Sequence, residues 1–245
     1  MKLSRYKREY NYSYAFGATL VLELIKTHPE LITRVFLRPN LEKQGDKLTE
    51  IISSLRQNGI NIIETTKAFN VLGAKENCLL IAEFNKPQNS IDCDKGTPHV
   101  VLVDPSDAGN LGTIMRSAVA FGYENIAIIS PSVDPYDPKT IRASMGAIFH
   151  LNIASFSSIK EYQNSNLARQ LYAFMLNSTA QTLSEVLPNN NHYSIVFGNE
   201  ASGLPTNFCN ETGAKAIYIP QSPNVDSLNL SVAASIAMYT FSHKK

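Results

Sequence analysis

From Val100 onward the chain alternates short runs rich in Val and Ile with helical patterns, and that alternation leaves it few folds to choose from. The strand candidates are Val100–Asp104, Asn125–Ser130, Leu151–Ser155, Gln170–Met175, Ser194–Gly198 and Ala216–Pro220. Between them, helical patterns cover about Leu111–Phe121, Lys139–Gly146, Ser158–Gln163, a short piece near Thr182–Leu187, and a closing helix over Ser227–Ser242. Strands apolar along their length, with helices between them, predict an α/β fold whose sheet is mainly parallel and covered on both faces. Such sheets bind ligands beyond the carboxyl ends of their strands, so function is sought where these strands run out.

The front of the chain alternates less regularly. A helix-like stretch over Tyr14–Lys26 leads to a strand at Arg34–Arg38, a second helix at about Lys43–Gln57, and strands at Ile60–Glu64 and Cys78–Phe84. This predicts a small α/β domain over residues 1–88. The polar stretch Lys86–Pro98, punctuated by Pro87, Gly96 and Pro98, sets a linker at 89–98 and leaves 99–245 as a second domain. A length of 245 residues accommodates two modest cores.

Composition narrows the classes further. With 44% hydrophobic and 18% charged residues, and no apolar run near the roughly 18 residues of a membrane span, a soluble protein without membrane insertion is expected. Met1–Arg8 carries charge with no apolar segment behind it, so no secretory signal is expected and the protein reads as cytoplasmic. Cys78, Cys93 and Cys209 lie far apart, as do the five histidines, which predicts neither a disulfide nor a metal site. Charge is uneven: residues 1–95 hold 14 Lys/Arg against 11 Asp/Glu, and residues 96–245 hold 8 against 10. The excess is densest at Lys2, Arg5, Lys7 and Arg8, interleaved with Tyr6, Tyr10, Tyr12 and Tyr14. Cations neutralise phosphates and aromatic faces stack on unpaired bases, so Arg5, Lys7 and Arg8 are candidate RNA-binding residues; the alternative is a frayed, solvated terminus.

Three glycine and polar islands stand at strand ends. In the first, Asp104-Pro105-Ser106-Asp107-Ala108-Gly109-Asn110 leads into a helix, with Asn110 as expected N-cap, Arg116 in the second turn and Gly122 as the stop. Arg116 stands among Ile114, Met115, Ala118 and Val119, and reads either as a group for an anionic ligand, or as a surface charge or an internal ion pair with Asp104 or Asp107. The second island, Phe197-Gly198-Asn199-Glu200-Ala201-Ser202-Gly203-Leu204, places a carboxylate on a glycine turn. The third runs from Ile219-Pro220 through a polar turn to Ser227-Leu228-Asn229-Leu230-Ser231, a helix start whose free N–H groups suit a specific partner. Neither the Gly-x-Gly-x-x-Gly dinucleotide fingerprint nor the Lys-Ser/Thr of a phosphate-binding loop is present.

Taken in order, Asn110…Gly112…Arg116, Phe197-Gly198-Asn199-Glu200…Gly203-Leu204 and Ile219-Pro220…Ser227-Leu228-Asn229-Leu230-Ser231 resemble the three motifs of the SpoU, or TrmH, family of RNA ribose 2'-O-methyltransferases, in the SPOUT superfamily. Asp134–Ala147 resembles the family's stretch after its second strand, and residues 14–85 more loosely resemble the L30e-like substrate-binding domain often fused ahead of it. The resemblance implies a deep C-terminal trefoil knot, an exception to the rule that chains do not knot. It implies S-adenosyl-L-methionine as cofactor, held by Phe197, Gly198, Asn199, Ile219, Pro220 and Leu228, and catalytic roles for Asn110, Arg116, Glu200, Ser227 and Asn229. It implies no metal, an RNA substrate, ribosomal RNA before transfer RNA, and a homodimer through the C-terminal domain, possible contacts being Ile236, Met238, Tyr239 and Phe241.

The implied chemistry is an in-line displacement at a methyl carbon, in which alignment alone supplies up to about 7–11 kcal/mol. A guanidinium stays protonated at neutral pH, so Arg116 suits binding of a phosphate and of developing negative charge better than proton removal. Glu200 either pairs with Arg116 or fixes its own turn. The competing readings are a transfer RNA 2'-O-methyltransferase, and a non-catalytic RNA-binding or ribosome-assembly protein of the same fold.

Overall fold

The run Tyr12–Phe16 decides how the front of the chain folds. In the computed structural model, which describes residues 3–39, 46–88, 91, 96–165, 169–177, 180–186, 188 and 190–243, this run is strand β1 (Tyr12–Phe16). Aromatic rings at every second residue have the period of a strand, so the helix expected over Tyr14–Lys26 is corrected to β1 followed by α1 (Ala18–Thr27). Leu20, Val21, Leu24 and Ile25 form the buried face of α1. Then come β2 (Ile32–Leu37), α2 (Asp46–Gln57), β3 (Ile62–Glu64), α3 (Lys67–Leu72) and β4 (Leu80–Asn85). The sheet order is β1-β4-β2-β3, with β4 antiparallel to both β1 and β2 and only β2 and β3 parallel. Helix α3, which the sequence reading lacks, seals this core with Ala68 and Phe69 against Tyr12, Tyr14, Phe36 and Ile81.

The remaining elements are β5 (His99–Val103), α4 (Ala108–Ala120), β6 (Asn125–Ile129), α5 (Pro138–Ala143), β7 (Asn152–Phe156), α6 (Ile159–Ser165), β8 (Gln170–Phe174), β9 (Gln181–Thr182), β10 (Tyr193–Phe197), α7 (Phe208–Thr212), β11 (Lys215–Tyr218) and α8 (Leu230–His243). The helix expected near Thr182–Leu187 is instead the short strand β9 and a turn. Every pairing in the seven-stranded sheet is parallel, in the order β7-β6-β5-β10-β8-β11-β9. Its central strands are buried on both faces, as their Val and Ile runs require: Val100, Val101, Ile126, Ile128, Ile195 and Val196 are all inaccessible. β10 is late in sequence yet lies between β5 and β8, which brings the second island beside the first. Helix α8 packs on α4, where Ala234 and Ala237 permit close approach and Ser117 Oγ lies 2.7 Å from Ser235 Oγ.

The chain divides into two compact units, one of Met1–Gln88 with Asp134–Phe149 and the other of Asn89–Val133 with His150–Lys245. Residues 134–149, placed in the second domain by sequence, thus belong to the first unit. Ser13 Oγ donates to Tyr136 O at 2.6 Å, His28 Nε2 lies 3.0 Å from Phe149 O, and the Phe149 ring meets Phe84 edge to face. No linear pattern signals this excursion, because these contacts join residues 65 to 123 positions apart. Lys2, Lys43, Cys93, Leu187 and linker positions 89, 90 and 92–95 lie outside the described residues. No helix among the described residues is long and apolar enough to cross a membrane.

Candidate active site

Gly198 ends β10 at a point where no side chain fits. A Cβ there would stand 2.2 Å from the carbonyl carbon of Gly203 and 2.4 Å from Leu204 N, so two backbone segments touch directly. Asn199 holds the turn: its Oδ1 accepts from Ala201 N and Ser202 N, and its Nδ2 donates to Asp104 O at 2.8 Å. Asp104 ends the β5 strand line in the left-handed region, at φ 53°, which costs a non-glycine residue about 1–3 kcal/mol unless its surroundings hold it. The bond from Asn199 is one such restraint, and it ties the first island to the second.

Glu200 strengthens the tie. Its Oε2 accepts from Ser106 N at 3.0 Å and Ser106 Oγ at 2.7 Å, and its Oε1 from Asp107 N at 3.1 Å and Asn110 Nδ2 at 3.2 Å. Burial opposes the charge, but the Ser106 hydroxyl, backbone N–H groups and Asn110 outweigh it and hold the carboxyl below its ordinary pKa. Of the alternatives for Glu200, the geometry is structural, its carboxylate fixing the turn between Gly198 and Gly203 against the first island; no Arg116–Glu200 ion pair forms.

The third island joins through Asn229, whose Nδ2 donates to Asn110 Oδ1 at 2.9 Å. Asn229 Oδ1 accepts from Ser231 N at 2.9 Å, Ser231 Oγ at 2.7 Å and Val232 N at 3.4 Å. It is therefore the N-cap of α8, which begins at Leu230 and not at Ser227. The helix N–H groups expected to await a ligand are taken up in part by this cap. A similar correction applies to α4: its N-cap is Asp107, whose Oδ1 accepts from Asn110 N at 2.7 Å, so Asn110 sits inside the first turn and Arg116 in the third. Asn110 is thereby free to bridge Glu200 and Asn229.

Arg116 is exposed, and among the described residues it has neither a hydrogen bond nor an ion pair; of the alternatives for it, the pairing with Asp104 or Asp107 does not occur, and a surface charge or a ligand-binding group remains. It is an unspent cation.

Beside these groups, beyond the carboxyl ends of β8, β10 and β11, lies a pocket of about 440 Å³, within the range of small-molecule sites. Of the expected cofactor residues, Phe197, Gly198, Asn199, Ile219 and Leu228 line it, as do Glu200 and Ser227; Pro220 is exposed and outside the lining. Asn110, Arg116 and Asn229 are not part of its wall. The lining also includes Phe174, Met175, Leu176 and Asn177, which the sequence reading missed. Phe174 ends β8, and Met175, Leu176 and Asn177 follow it with no glycine turn; only the strand's adjacency to β10, together with the carboxyl-end rule, points to them. No group of three or more His, Cys, Asp or Glu that could hold a metal occurs among the described residues.

The RNA candidates Arg5, Lys7 and Arg8 are exposed, but their backbone is not frayed. Arg5 Nε donates to Val71 O at 3.3 Å, Lys86 Nζ to Arg8 O at 2.9 Å, Tyr14 OH to Ser4 O at 2.9 Å, and Tyr6 OH bonds the Asp134 carboxylate. Tyr12 and Tyr14 are core residues, which removes them from any stacking platform.

The SpoU rRNA methylase family model matches residues 97–239, more than half of the chain. The chain belongs to the SpoU rRNA methylase family. A second model, RNA 2'-O ribose methyltransferase substrate binding, matches residues 14–70 of this SpoU chain. The chain is 35% identical over 144 residues to an uncharacterized tRNA/rRNA methyltransferase of Synechocystis, covering 57% of this chain and 51% of that one. It is 29% identical over 143 residues to the 23S rRNA (guanosine(2553)-2'-O)-methyltransferase RlmP of Bacillus subtilis, covering 57% of this chain and 56% of RlmP. The matches thus span about half the length of these curated relatives. The crystal structure of an AdoMet-bound rRNA methyltransferase from Sinorhizobium meliloti superposes with a TM-score of 0.78 at 26% identity, over 94% of this chain and 86% of that one.

Proposed function

We propose that this SpoU chain transfers a methyl group from S-adenosyl-L-methionine to a ribose 2'-hydroxyl of RNA, ribosomal RNA first. The observation that carries this reading is a pocket at the carboxyl end of a parallel sheet, walled by the second and third islands and tied to the first by the Glu200–Asn110–Asn229 hydrogen bonds, which join residues up to 119 positions apart in sequence. When bound, the cofactor supplies a methyl group on a positively charged sulfur. The pocket suits it: Phe197, Ile219 and Leu228 offer apolar surface, Gly198 leaves backbone bare, and Glu200 keeps a negative charge that no cation among the described residues neutralises. In the reaction an O–C bond forms, a C–S bond breaks, and the hydroxyl proton passes to water.

Arg116 holds the RNA phosphate and the negative charge developing on the ribose oxygen. Ser227, a pocket-lining hydroxyl, orients the ribose hydroxyl. Asn110, Asn229 and Glu200 hold the islands in register. Residues 1–88 serve as an L30e-like RNA-binding domain, in keeping with the substrate-binding model over 14–70, with Arg5, Lys7 and Arg8 adding phosphate contacts. Residues 99–133 and 150–245 serve as the catalytic domain. The insertion of β10 between β5 and β8, and the return of α8 onto α4, accord with a trefoil knot.

A homodimer accords with exposed apolar groups on α4 and α8, namely Val119, Val232, Ile236 and Tyr239; Met238 and Phe241, expected in the same stripe, are core residues. Light scattering at micromolar concentration tests it, a monomer counting against the dimer. The methyltransferase reading is tested by mapping 2'-O-methyl groups in a strain lacking the gene. Loss of a ribosomal RNA mark is expected; loss of a transfer RNA mark would move the substrate, and an unchanged map would end the reading.

A further inference from the structure

Ser106 lies in the exposed turn between β5 and α4, yet both of its donors aim at one atom. Its N–H and its Oγ reach Glu200 Oε2 at 3.0 and 2.7 Å, the hydroxyl making the shortest of the four bonds to that carboxylate. A carboxylate only accepts, so Asn110 must present Nδ2 to Glu200 and Oδ1 to its other side. Asn229 must then present Nδ2 to Asn110, which leaves its Oδ1 to cap α8 through Ser231. The direction of every bond in this chain follows from one charge, and protonating Glu200 would remove the reason for that order.

We infer that Ser106 is a positioning residue: its hydroxyl fixes the Glu200 carboxylate, and through Asn110 and Asn229 it sets the start of the closing helix beside the pocket. The inference rests on the methyltransferase reading for its effect on rate, but not for its effect on Glu200. The lowered pKa of Glu200, caused in part by the Ser106 hydroxyl, agrees with it.

The test is a carboxyl ¹³C NMR titration of Glu200 in the wild-type protein, Ser106→Ala and Ser106→Thr, with methyl-transfer kinetics on ribosomal RNA and calorimetry with S-adenosylmethionine. In Ser106→Ala the Glu200 midpoint should rise and kcat fall about ten-fold, the loss of one charge-assisted hydrogen bond, with cofactor Kd within about two-fold. The acid limb of the kcat–pH profile should move upward with the midpoint, and Ser106→Thr should restore both. An unchanged midpoint, a shifted midpoint with unchanged kcat, or a loss that Thr does not repair would overturn the role. Wild-type protein that leaves RNA unmethylated would end the methyltransferase reading alone; the NMR midpoint then decides whether Ser106 fixes Glu200.

Discussion

Glu83 in the first unit and Glu200 in the second are both held carboxylates, and they are held in opposite ways. Glu83, 4% exposed, is gripped by Arg34, whose Nε and Nη2 reach its two oxygens at 3.0 and 2.7 Å. Among the described residues, Glu200 is gripped by four uncharged donors and by no cation. In the first case charge cancels charge, and the result is architecture. In the second the negative charge survives at a pocket wall while Arg116 keeps its positive charge in solvent, and the result is a site with electrostatics still to be answered by ligands. A charged residue near apolar neighbours is thus informative only once its partner is known.

Breaking the first grip should have the largest effect. Arg34→Ala strands a buried carboxylate and should destabilise the first unit by about 3–5 kcal/mol in urea unfolding; a loss below about 1 kcal/mol would erase the contrast. Gly198→Ala should cost about 3 kcal/mol or more, because the clash is with backbone, and abolish calorimetric cofactor binding; intact binding would show the turn is not the cradle. Glu200→Gln keeps the shape but removes the charge, and should weaken cofactor binding about ten-fold, with stability lowered by about 1–2 kcal/mol. Equal affinity would make Glu200 as purely architectural as Glu83.

Acid sharpens the comparison in the second unit. Burial, reinforced by the charges of Arg169 and His192, pushes His99 down to about 3, and it is neutral in the fold with Nδ1 2.9 Å from Tyr162 OH. Its folded value lies below the ordinary histidine value of about 6.5, so its stabilisation is complete above that pH and is lost as pH falls toward 3. The Glu200 contribution has the same sign and is lost at lower pH, as its carboxyl protonates. Unfolding free energy should fall by up to about 1.4 kcal/mol per pH unit below pH 6.5, and His99→Gln should flatten that slope. A slope unchanged in the variant would assign the acid loss elsewhere. Arg116→Ala should have the smallest effect on stability, within about 0.5 kcal/mol, since nothing in the described residues depends on it.

Much of the second unit is legible in sequence because its strands are short, largely apolar runs between helical patterns, the central ones rich in Val and Ile, and six of them lie within a residue or two of their expected bounds. β1 is harder to see: its strand-favouring rings at Tyr12, Tyr14 and Phe16 alternate with Ser13 and Ala15 in a run of only five residues with no Val or Ile. Strand order is hidden altogether, since the place of β10 between β5 and β8 depends on pairings between distant segments. The same limit conceals Phe174–Asn177 as pocket wall and 134–149 as part of the first unit. At the site, residue types were readable and local roles were not. Asn229 and Asp107 act as caps where Ser227 and Asn110 had stood at the expected helix starts, because capping depends on where the helix begins.

The central claim is that Arg116 keeps its charge for RNA while the Gly198 pocket holds the cofactor without it. The most direct measurement gives wild-type protein and Arg116→Ala labelled S-adenosylmethionine with ribosomal RNA, and measures the cofactor affinity of each by calorimetry. We expect label on ribose 2'-oxygens with the wild-type protein, none with Arg116→Ala, and cofactor Kd values within a few-fold of each other. Transfer retained by Arg116→Ala, or cofactor affinity lost with the arginine, would contradict it.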